Sequence, residues 1–528
     1  MVSAGVPGVA SSAGPGRFTA LQIALIVALS LPWLNPFALR PAPAVVQSLL
    51  SVLGLACLLL LPLRRAGLAT LAGVVAWAWL LSALLSSALG LLQYFGLSGA
   101  WSPWVNSTLA GEAFANLRQR NHFASLVNIG LMSLLWLASN HQPNTDSPEQ
   151  VGRPALPLRW LGLLLAAVLL GAGNAASSSR TGLLQLCLAL ALWLLFWRSS
   201  TRTEVRKLLV AAALSYLGAA CLLPLLAGLG FGENGILSRL QDTQLMCQSR
   251  LIMWRNVLHL IGLQPWFGWG WGELDYAHFI TLYPGARFCD ILDNAHNLPL
   301  HLAVELGLPA ALLLSGAALL LIARAKPWAE QHSTRQLAWG VLGVIALHSL
   351  LEYPLWYGPF QLAAGLSLLL LWLSRAAASS SADHLLAGPY SSSSGWRLRS
   401  ALALGLVAGA AYAAIDYARV LQFYLPASAR IRLFSEPSLS SAHRSWLFGH
   451  WIDFAQATST PVDTGNATRM QELNEAILHL SPEPRVIERI IRSAALLQRF
   501  DVAWFYLQRY QAAFPAEYAD WQKRDKQP

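Results

Sequence analysis

In the string CDILDNAHNLPLHLAVELGLPAALLL, residues 289–314, His296 stands where a polar loop gives way to hydrocarbon. A neutral imidazole there can take a proton from a hydroxyl or orient it. If His296 opens a helix capped by Asn294 or Asp293, the positive helix end favours a nearby phosphate. The plainer reading is an interfacial histidine that only hydrogen-bonds its own loop. His301 and Glu305 follow at i,i+4 spacing, which suits a buried supporting pair better than direct chemistry.

Four other strings carry polar groups beside apolar runs, where such groups are costly and need a reason. GNAASSSRTGLL (173–184) sets Arg180 at a tight turn, either snorkelling to lipid headgroups or offering a planar fork to phosphate oxygens. SRLIMWRNVLHLI (249–261) predicts a helix with Leu251, Trp254, Leu258 and Ile261 on one face, lying flat on a membrane surface. Arg250 precedes Trp254 by one turn and looks toward the pocket of Arg180, whereas Arg255 reads as a solvated charge. FANLRQRNHFASL (114–126) holds Gln119, Arg120, Asn121 and His122, with Arg120 alternatively a headgroup anchor. HSLLEYPLWY (348–357) holds His348, Glu352 and Tyr353, the first two at a spacing that also fits simple helix-to-helix glue. PWFGWGWGE (265–273) is an aromatic and glycine turn, able to bring backbone close or to wedge into an interface.

These groups must be positioned by membrane helices. The chain has 528 residues, 55% hydrophobic and 12% charged, with a mean hydropathy of +0.46. Apolar runs recur at lengths that cross a hydrocarbon layer of roughly 30 Å at about 1.5 Å per residue. About eleven spans are predicted: 18–34, 44–63, 68–95, 121–139, 158–176, 180–197, 207–230, 298–323, 336–352, 358–374 and 400–424. The class is all-α, a polytopic membrane bundle. The first span reads as uncleaved, since no small-residue cleavage site follows it.

Orientation follows from Lys and Arg, which are retained on the cytoplasmic side. One set of short connections holds Arg17, Arg64, Arg65, Arg153, Arg159, Arg198, Arg202, Arg206, Lys207, Arg324, Lys326, Arg335, Arg375, Arg397 and Arg399. The other holds only Arg40, Arg118, Arg120 and Arg180. The N-terminus is therefore expected inside and the C-terminus outside. The divisions are a cytoplasmic N-terminus (1–17), seven spans (18–230), a large outer loop (231–297), four spans (298–424) and an outer helical domain (425–528). Residues 141–157 and 379–400 read as inside linkers. Within the tail, Ile487, Ile490, Ile491, Ala494 and Leu497 keep helical spacing, then Ala503, Phe505, Leu507 and Tyr510 do so again. That pattern suits an αα-hairpin of tetratricopeptide type or a plain helical cap.

The net charge of +10 is scattered over loops rather than gathered into a stripe, so nucleic acid is not an expected partner. Of five cysteines, Cys57, Cys187 and Cys221 fall inside apolar runs as small core filler. Cys247 and Cys289 flank the long loop, where a disulfide is plausible in an oxidising compartment. No metal-ligand spacing is present.

The strings RQRNHFA, SSSRTG, SRLIMW, GWGWGE, DNAHNLPLHLAVELGLP and HSLLEYPLWY occur in that order. Together they resemble the bacterial O-antigen ligase and polymerase superfamily, and within it the PglL-like protein O-oligosaccharyltransferases. EYP and the helical tail favour the protein-glycosylating branch. The resemblance implies transfer of a glycan from undecaprenyl pyrophosphate to Ser or Thr of a pilin or other periplasmic protein, at the periplasmic face of the bacterial inner membrane. It implies no metal, nucleotide or other cofactor. Its essential loop histidine falls on His296, its pyrophosphate-gripping arginines on Arg180 and Arg250, and its further important residues on Gln119 and Tyr353. The substrate-contacting set is completed by Asn297, Asn121 and Arg120. Where the family has a hydrophobic residue or glutamine, this chain has His122.

Two other functions fit less of the pattern. An O-antigen ligase or polymerase would use a sugar acceptor at the same site. A secondary transporter would show inverted repeats and charges near the midplane, whereas these candidate groups gather at one face. A receptor-like protein using the tail is a fourth option.

Overall fold

The computed structural model describes residues 19–60, 67–140, 155–197, 202–229, 246–378, 393–431 and 445–525. The segment 1–17, most of both inside linkers, and residues 231–245 of the large loop lie outside the described residues. Among those described, the regular structure is helical.

In chain order the membrane-type helices are α1 (Ala20–Leu34), α2 (Val45–Leu59), α3 (Leu68–Tyr94), α4 (Arg120–Asn140), α5 (Ala155–Ala176), α6 (Arg180–Ala191) and α7 (Arg202–Leu226). After α8 (Arg250–Leu263) and α9 (Leu274–Ile280) come α10 (Leu298–Leu306), α11 (Leu308–Ala325), α12 (Ser333–Ser349), α13 (Gly358–Ala378) and α14 (Ser393–Leu421). Every predicted apolar segment therefore carries helix, as it must if its backbone is to satisfy itself in lipid. Among the described residues, six helices are long and apolar enough to cross a membrane: Leu68–Tyr94, Arg120–Asn140, Leu158–Ala176, Thr203–Leu226, Leu308–Ala329 and Gly395–Leu421. Ala20–Leu34, Val45–Leu59 and Arg180–Phe196 are apolar but shorter.

Helix α4 is the axis of the bundle, packed by α3, α5, α6, α7 and α12, with 94% of its most apolar window buried. Small residues permit these crossings. A Cβ on Gly130 would stand 2.2 Å from that of Ala83, and one on Gly171 would stand 2.3 Å from the Ala212 carbonyl oxygen. Below the N-terminal end of α4 lies a buried polar layer. Gln185 Nε2 donates to Ser125 Oγ (2.7 Å) and to the Val344 carbonyl (3.1 Å), and Ser125 Oγ meets His348 Nδ1 at 2.8 Å. Asn128 reaches the Gly182 carbonyl at 3.2 Å. This layer ties α4, α6 and α12 in one register. Cys57, Cys187 and Cys221 are exposed on the outer surface of the bundle rather than filling its core. A thiol is apolar enough for a lipid-facing position, so apolar surroundings in sequence did not imply an interior place.

The eighth predicted span, 298–323, is two helices, broken at Gly307. Gly307 adopts a φ of 86°, and the aromatic turn packs into the break. Trp269 N donates to the Val304 carbonyl (2.9 Å), Gly270 N to the Glu305 carbonyl (3.0 Å), and Leu308 N to the Pro265 carbonyl (2.8 Å). A Cβ on Gly307 would lie 2.2 Å from the Trp266 carbonyl oxygen. Gly307→Val is therefore expected to destabilise the protein by about 3 kcal/mol or more, from a strained φ and a backbone clash together. Thermal unfolding of the detergent-purified variant measures this; an unchanged midpoint would show that the turn does not depend on the break.

Met253, Val257, Leu260, Leu274, Ala277, Leu292, Ala295 and Val304 form the core of the loop region, closed by the Cys247–Cys289 disulfide with Cα atoms 5.4 Å apart. The face predicted for α8 is corrected here. Leu251 and Leu258 are exposed, but Ile261 is buried with Met253, Val257 and Leu260 on the other side. The helix thus has a protein-facing side that its mixed apolar sequence concealed.

The tail is more than one hairpin. It comprises α15 (Gly449–Ser459), α16 (Ala467–Leu478), α17 (Pro484–Leu496), α18 (Phe500–Ala513) and α19 (Pro515–Asp525). Val486, Ile487, Ile490, Ile491 and Ala494 bury one stripe of α17, while Leu497 falls past its end and Phe505 is exposed. The domain sits on the loop region. Phe279 enters its core, Arg509 Nε donates to the Ile280 carbonyl (2.8 Å), and the His479 ring stacks on Tyr276 at 3.8 Å while its Nδ1 meets Glu273 at 2.6 Å.

Candidate functional site

The site is organised by Glu352, which lies past the C-terminal end of α12, its residue 5% exposed. Four residues from three other segments reach its carboxylate. Arg250, at the start of α8, donates Nη2 to Oε1. Asn121 Nδ2 donates to Oε1 at 3.1 Å, and Gln119 Nε2 to Oε2 at 3.3 Å. His296 Nδ1 lies 2.7 Å from Oε2. The Arg250 guanidinium and the His296 imidazole face this buried carboxylate and offset the cost of holding its charge away from water. It is a fixed anion buried beneath partly exposed donors.

His296 is held in a left-handed backbone conformation, φ 50°, unusual for a residue other than glycine. Its N–H donates to Asn294 Oδ1 at 2.9 Å, and the carbonyl just before it accepts from Trp254 Nε1 at 3.0 Å. Neither Asn294 nor Asp293 caps α10. That cap is Asn297, whose Oδ1 accepts from Leu300 N (3.1 Å) while its Nδ2 donates to the Leu350 carbonyl (3.0 Å). Asn297 thus binds the loop to the end of α12 beside Glu352. His296 precedes the helix instead of standing in it, because Asn is the better cap and leaves the imidazole free to turn toward Glu352.

The remaining expected residues divide. The Tyr353 ring stands edge-on to His296 with centroids 5.0 Å apart. Arg180 is the first residue of α6 and is exposed; its N-cap, Ser179, donates Oγ to Asn121 Oδ1 at 2.6 Å, linking that helix end to the cluster. Arg120 pairs with Glu112 and not with Glu352. His122 is buried, its ring edge-on to Tyr357 (4.2 Å) and His348 (5.3 Å), in the packing under the site. His301 and Glu305 are a buried pair at 3.4 Å, as their spacing suggests. His348 does not pair with Glu352; it meets Ser125. The plain reading of HSLLEYP as an i,i+4 pair fails because α12 ends at Ser349 and Glu352 leaves the helix. Glu352 was thereby absent from the expected substrate set. Its one signal was an acid at the close of an apolar run, directly before Tyr353 and Pro354.

Among the described residues, no group of three or more His, Cys, Asp or Glu side chains is placed to hold a metal. The arrangement can do acid-base work: with Nδ1 facing a carboxylate, the other imidazole nitrogen, Nε2, is left as proton acceptor. Arg250 and Arg180 supply cationic groups with exposed surface nearby.

A second titratable group lies in the loop region. Burial pushes the Asp275 carboxyl up to about 7, opposed by the Tyr276 N–H at 2.7 Å and reinforced by Asp293 and Glu273. A raised folded-state pKa stabilises at low pH and ceases to do so as pH rises from about 4 to about 7. Buried His278, depressed to about 3, acts oppositely as pH falls below its ordinary 6.5. Comparison with Asp275→Asn isolates the carboxyl: the melting-temperature advantage of the native chain over the variant is expected to shrink across that range. A difference independent of pH would contradict this.

Comparisons with known proteins follow the same segments. Residues 113–138 match the family described as protein glycosylation ligase, residues 165–315 the O-antigen ligase family, and residues 336–528 the C-terminal family of virulence factor membrane-bound polymerases. The three matches carry, respectively, Gln119 and Asn121; Arg180, Arg250 and His296; and Glu352 and Tyr353. A general O-oligosaccharyltransferase of Acinetobacter baylyi is 25% identical over 54% of this chain and 47% of its own length. A ComP-specific O-oligosaccharyltransferase of the same organism is 26% identical over 49% of this chain and 44% of its own. The matched stretch spans less than half the length of these relatives. No solved structure matches the chain.

Proposed function

We propose, from the similarity of its segments to the O-antigen ligase and protein glycosylation ligase families, that the chain is a protein O-oligosaccharyltransferase. It would move a glycan from undecaprenyl pyrophosphate to Ser or Thr of a pilin or other periplasmic protein. Support comes above all from one observation: Gln119, Asn121, Arg250 and His296, from segments distant in sequence, meet on the single buried carboxylate of Glu352.

In the proposed mechanism Glu352 holds His296 with Nδ1 inward. Nε2 takes the proton of the acceptor hydroxyl as its oxygen attacks the anomeric carbon. The bond from that carbon to the pyrophosphate oxygen breaks, and the lipid pyrophosphate leaves with the electron pair. Arg250 and Arg180 stabilise the charge it gains, each through a planar guanidinium suited to phosphate. Gln119 and Asn121 fix the carboxylate, and Tyr353 fixes the imidazole plane. Arg120, paired with Glu112, and Asn297, which caps α10, serve the site's framework in this scheme.

The proposed setting is the inner membrane, crossed eleven times, with the N-terminus inside and the loop region, site and C-terminal domain on the periplasmic face. The Lys and Arg distribution supports it, as does the docking of the tail on the same loop region that carries His296. A lipid-linked donor keeps its tail in the bilayer, so its reactive bond belongs at headgroup depth. Mass spectrometry of periplasmic proteins with and without the gene tests the function: Ser- or Thr-linked sugar masses should vanish on deletion. A second reading, ligation or polymerisation onto a sugar acceptor, is favoured by the ligase and polymerase descriptions of the two longer matches. Altered lipopolysaccharide banding in the deletion strain would select it.

A further inference from the structure

From Tyr353, which stands on His296, a strip of aromatic rings leads to two tryptophans that the transfer chemistry does not use. Tyr353 stands edge-on to His296 at 5.0 Å, Trp356 follows Tyr353 at 6.4 Å, and Trp271 lies 12° from parallel with Trp356 at 6.0 Å. Each step is comparable with the length of one pyranose ring. Trp356 is 38% exposed and Trp271 62% exposed, although both are held in place. The His301 ring packs edge-on to Trp356 at 4.9 Å. Trp271 sits between Gly270 and Gly272, with φ of 115° and 81°, in a turn fixed by the Gly270 N–H on the Glu305 carbonyl. Both tryptophans are packed on one side and exposed on the other, and their indole N–H groups offer a polar handle.

Interfacial anchoring in lipid is the competing use of exposed tryptophan, and the same turn supplies the contrast. Trp266 and Phe267, 71% and 89% exposed, are near exposed Leu263 and Leu308 and suit that use. Trp271 and Trp356 instead neighbour His301, Trp356 also meets Tyr353, whose ring stands on His296, and Glu273, two residues after Trp271, pairs with His479 of the C-terminal domain. The contacts run in order from Ser179, the residue before Arg180, through Asn121 and Glu352 to His296, then Tyr353 and the tryptophans.

We propose that Trp356 and Trp271 form a stacking subsite for an oligosaccharide, taking the sugars of the donor beyond the one being transferred while the arginines take the pyrophosphate. The proposal rests on the transferase reading for the identity of that donor. Sugar faces that present C–H groups pack on indole rings, and rings placed beyond His296 engage only a donor long enough to reach them.

The test measures binding apart from turnover. The probe is the soluble oligosaccharide released by mild acid from the lipid-linked pool of the bacterium carrying this chain, titrated into the full protein in nanodiscs by calorimetry. Wild type is expected to bind it, Trp356→Ala and Trp271→Ala each to weaken binding about tenfold, Trp356→Phe to retain most of it, and Trp266→Ala to leave it unchanged. Absence of binding by wild type, equal loss in Trp266→Ala, or no loss in the first two variants overturns the subsite. Unchanged melting temperatures of the variants exclude a folding effect. A second arm compares transfer from lipid donors bearing one sugar and several. The alanine variants should raise KM only for the longer donor; equal KM for both in the variants assigns the rings to the acceptor sugar instead and overturns the donor assignment. Binding without any transfer by wild type would refute the transferase reading and leave the subsite standing.

Discussion

Glu352→Gln is expected to lower the transfer rate by about 10²-fold or more while leaving the donor KM within a few-fold of its original value. Glutamine has nearly the same shape, so the fold of the turn after α12 should persist. What changes is the partner of His296. An amide can present N–H as well as C=O, so the imidazole loses the fixed anion that keeps Nδ1 inward and Nε2 basic. Orienting carboxylates in such pairs are worth about 10- to 10⁴-fold in rate. The carboxylate is buried and receives Arg250, Asn121, Gln119 and His296 together. Glu352→Asp keeps the charge on a shorter arm and should recover part of the rate. If Glu352 were only structural, Gln would be nearly neutral, or rate and KM would change with a fall in thermal stability. Purified protein in nanodiscs, assayed over a range of donor concentration, separates these outcomes.

Arg250→Ala is expected to cost about 10²- to 10³-fold in kcat/KM, the scale typical of removing one donor from a site of developing negative charge. Here the donor KM should rise as well, since pyrophosphate charge is present before reaction and grows during it. Arg250→Lys should restore only a small part, because an ammonium retains the charge without the planar fork. A confounding route exists: Arg250 also neutralises Glu352. The double variant Arg250→Ala with Glu352→Gln resolves it. If neutralising the carboxylate were the only task of Arg250, the double variant would equal Glu352→Gln alone. A role on pyrophosphate predicts a further loss. Arg180, exposed at the start of α6, should show a similar KM effect without the coupling to Glu352.

Apolar length made the helices legible, since each predicted segment carries one. Gly307 was the exception. Its break in the eighth segment depends on a turn forty residues upstream docking its backbone there, although the Gly-Leu-Pro at 307–309 hinted at it. Of the candidate site, the sequence pointed to His296, Arg250, Gln119 and Asn121 by their strings, and the structure brings those four together. It could not point to what joins them. Glu352 looked like half of a local i,i+4 pair, and only the end of α12 at Ser349 sends its side chain to four distant partners. The aromatic strip was hidden for the same reason, because Trp271 and Trp356 lie 85 positions apart and meet only through tertiary packing. The buried face of α8 was misjudged where apolar residues occupy both sides, so periodicity alone could not choose between lipid and protein.

The most direct measurement is the intact mass of a purified pilin-type acceptor after incubation with the reconstituted chain and a lipid-linked oligosaccharide, using wild type and His296→Ala side by side. The proposed mechanism predicts an added glycan mass on Ser or Thr with wild type and an unmodified acceptor with His296→Ala, whose melting temperature stays the same. An unmodified acceptor with wild type, or equal glycosylation by both proteins, would contradict it.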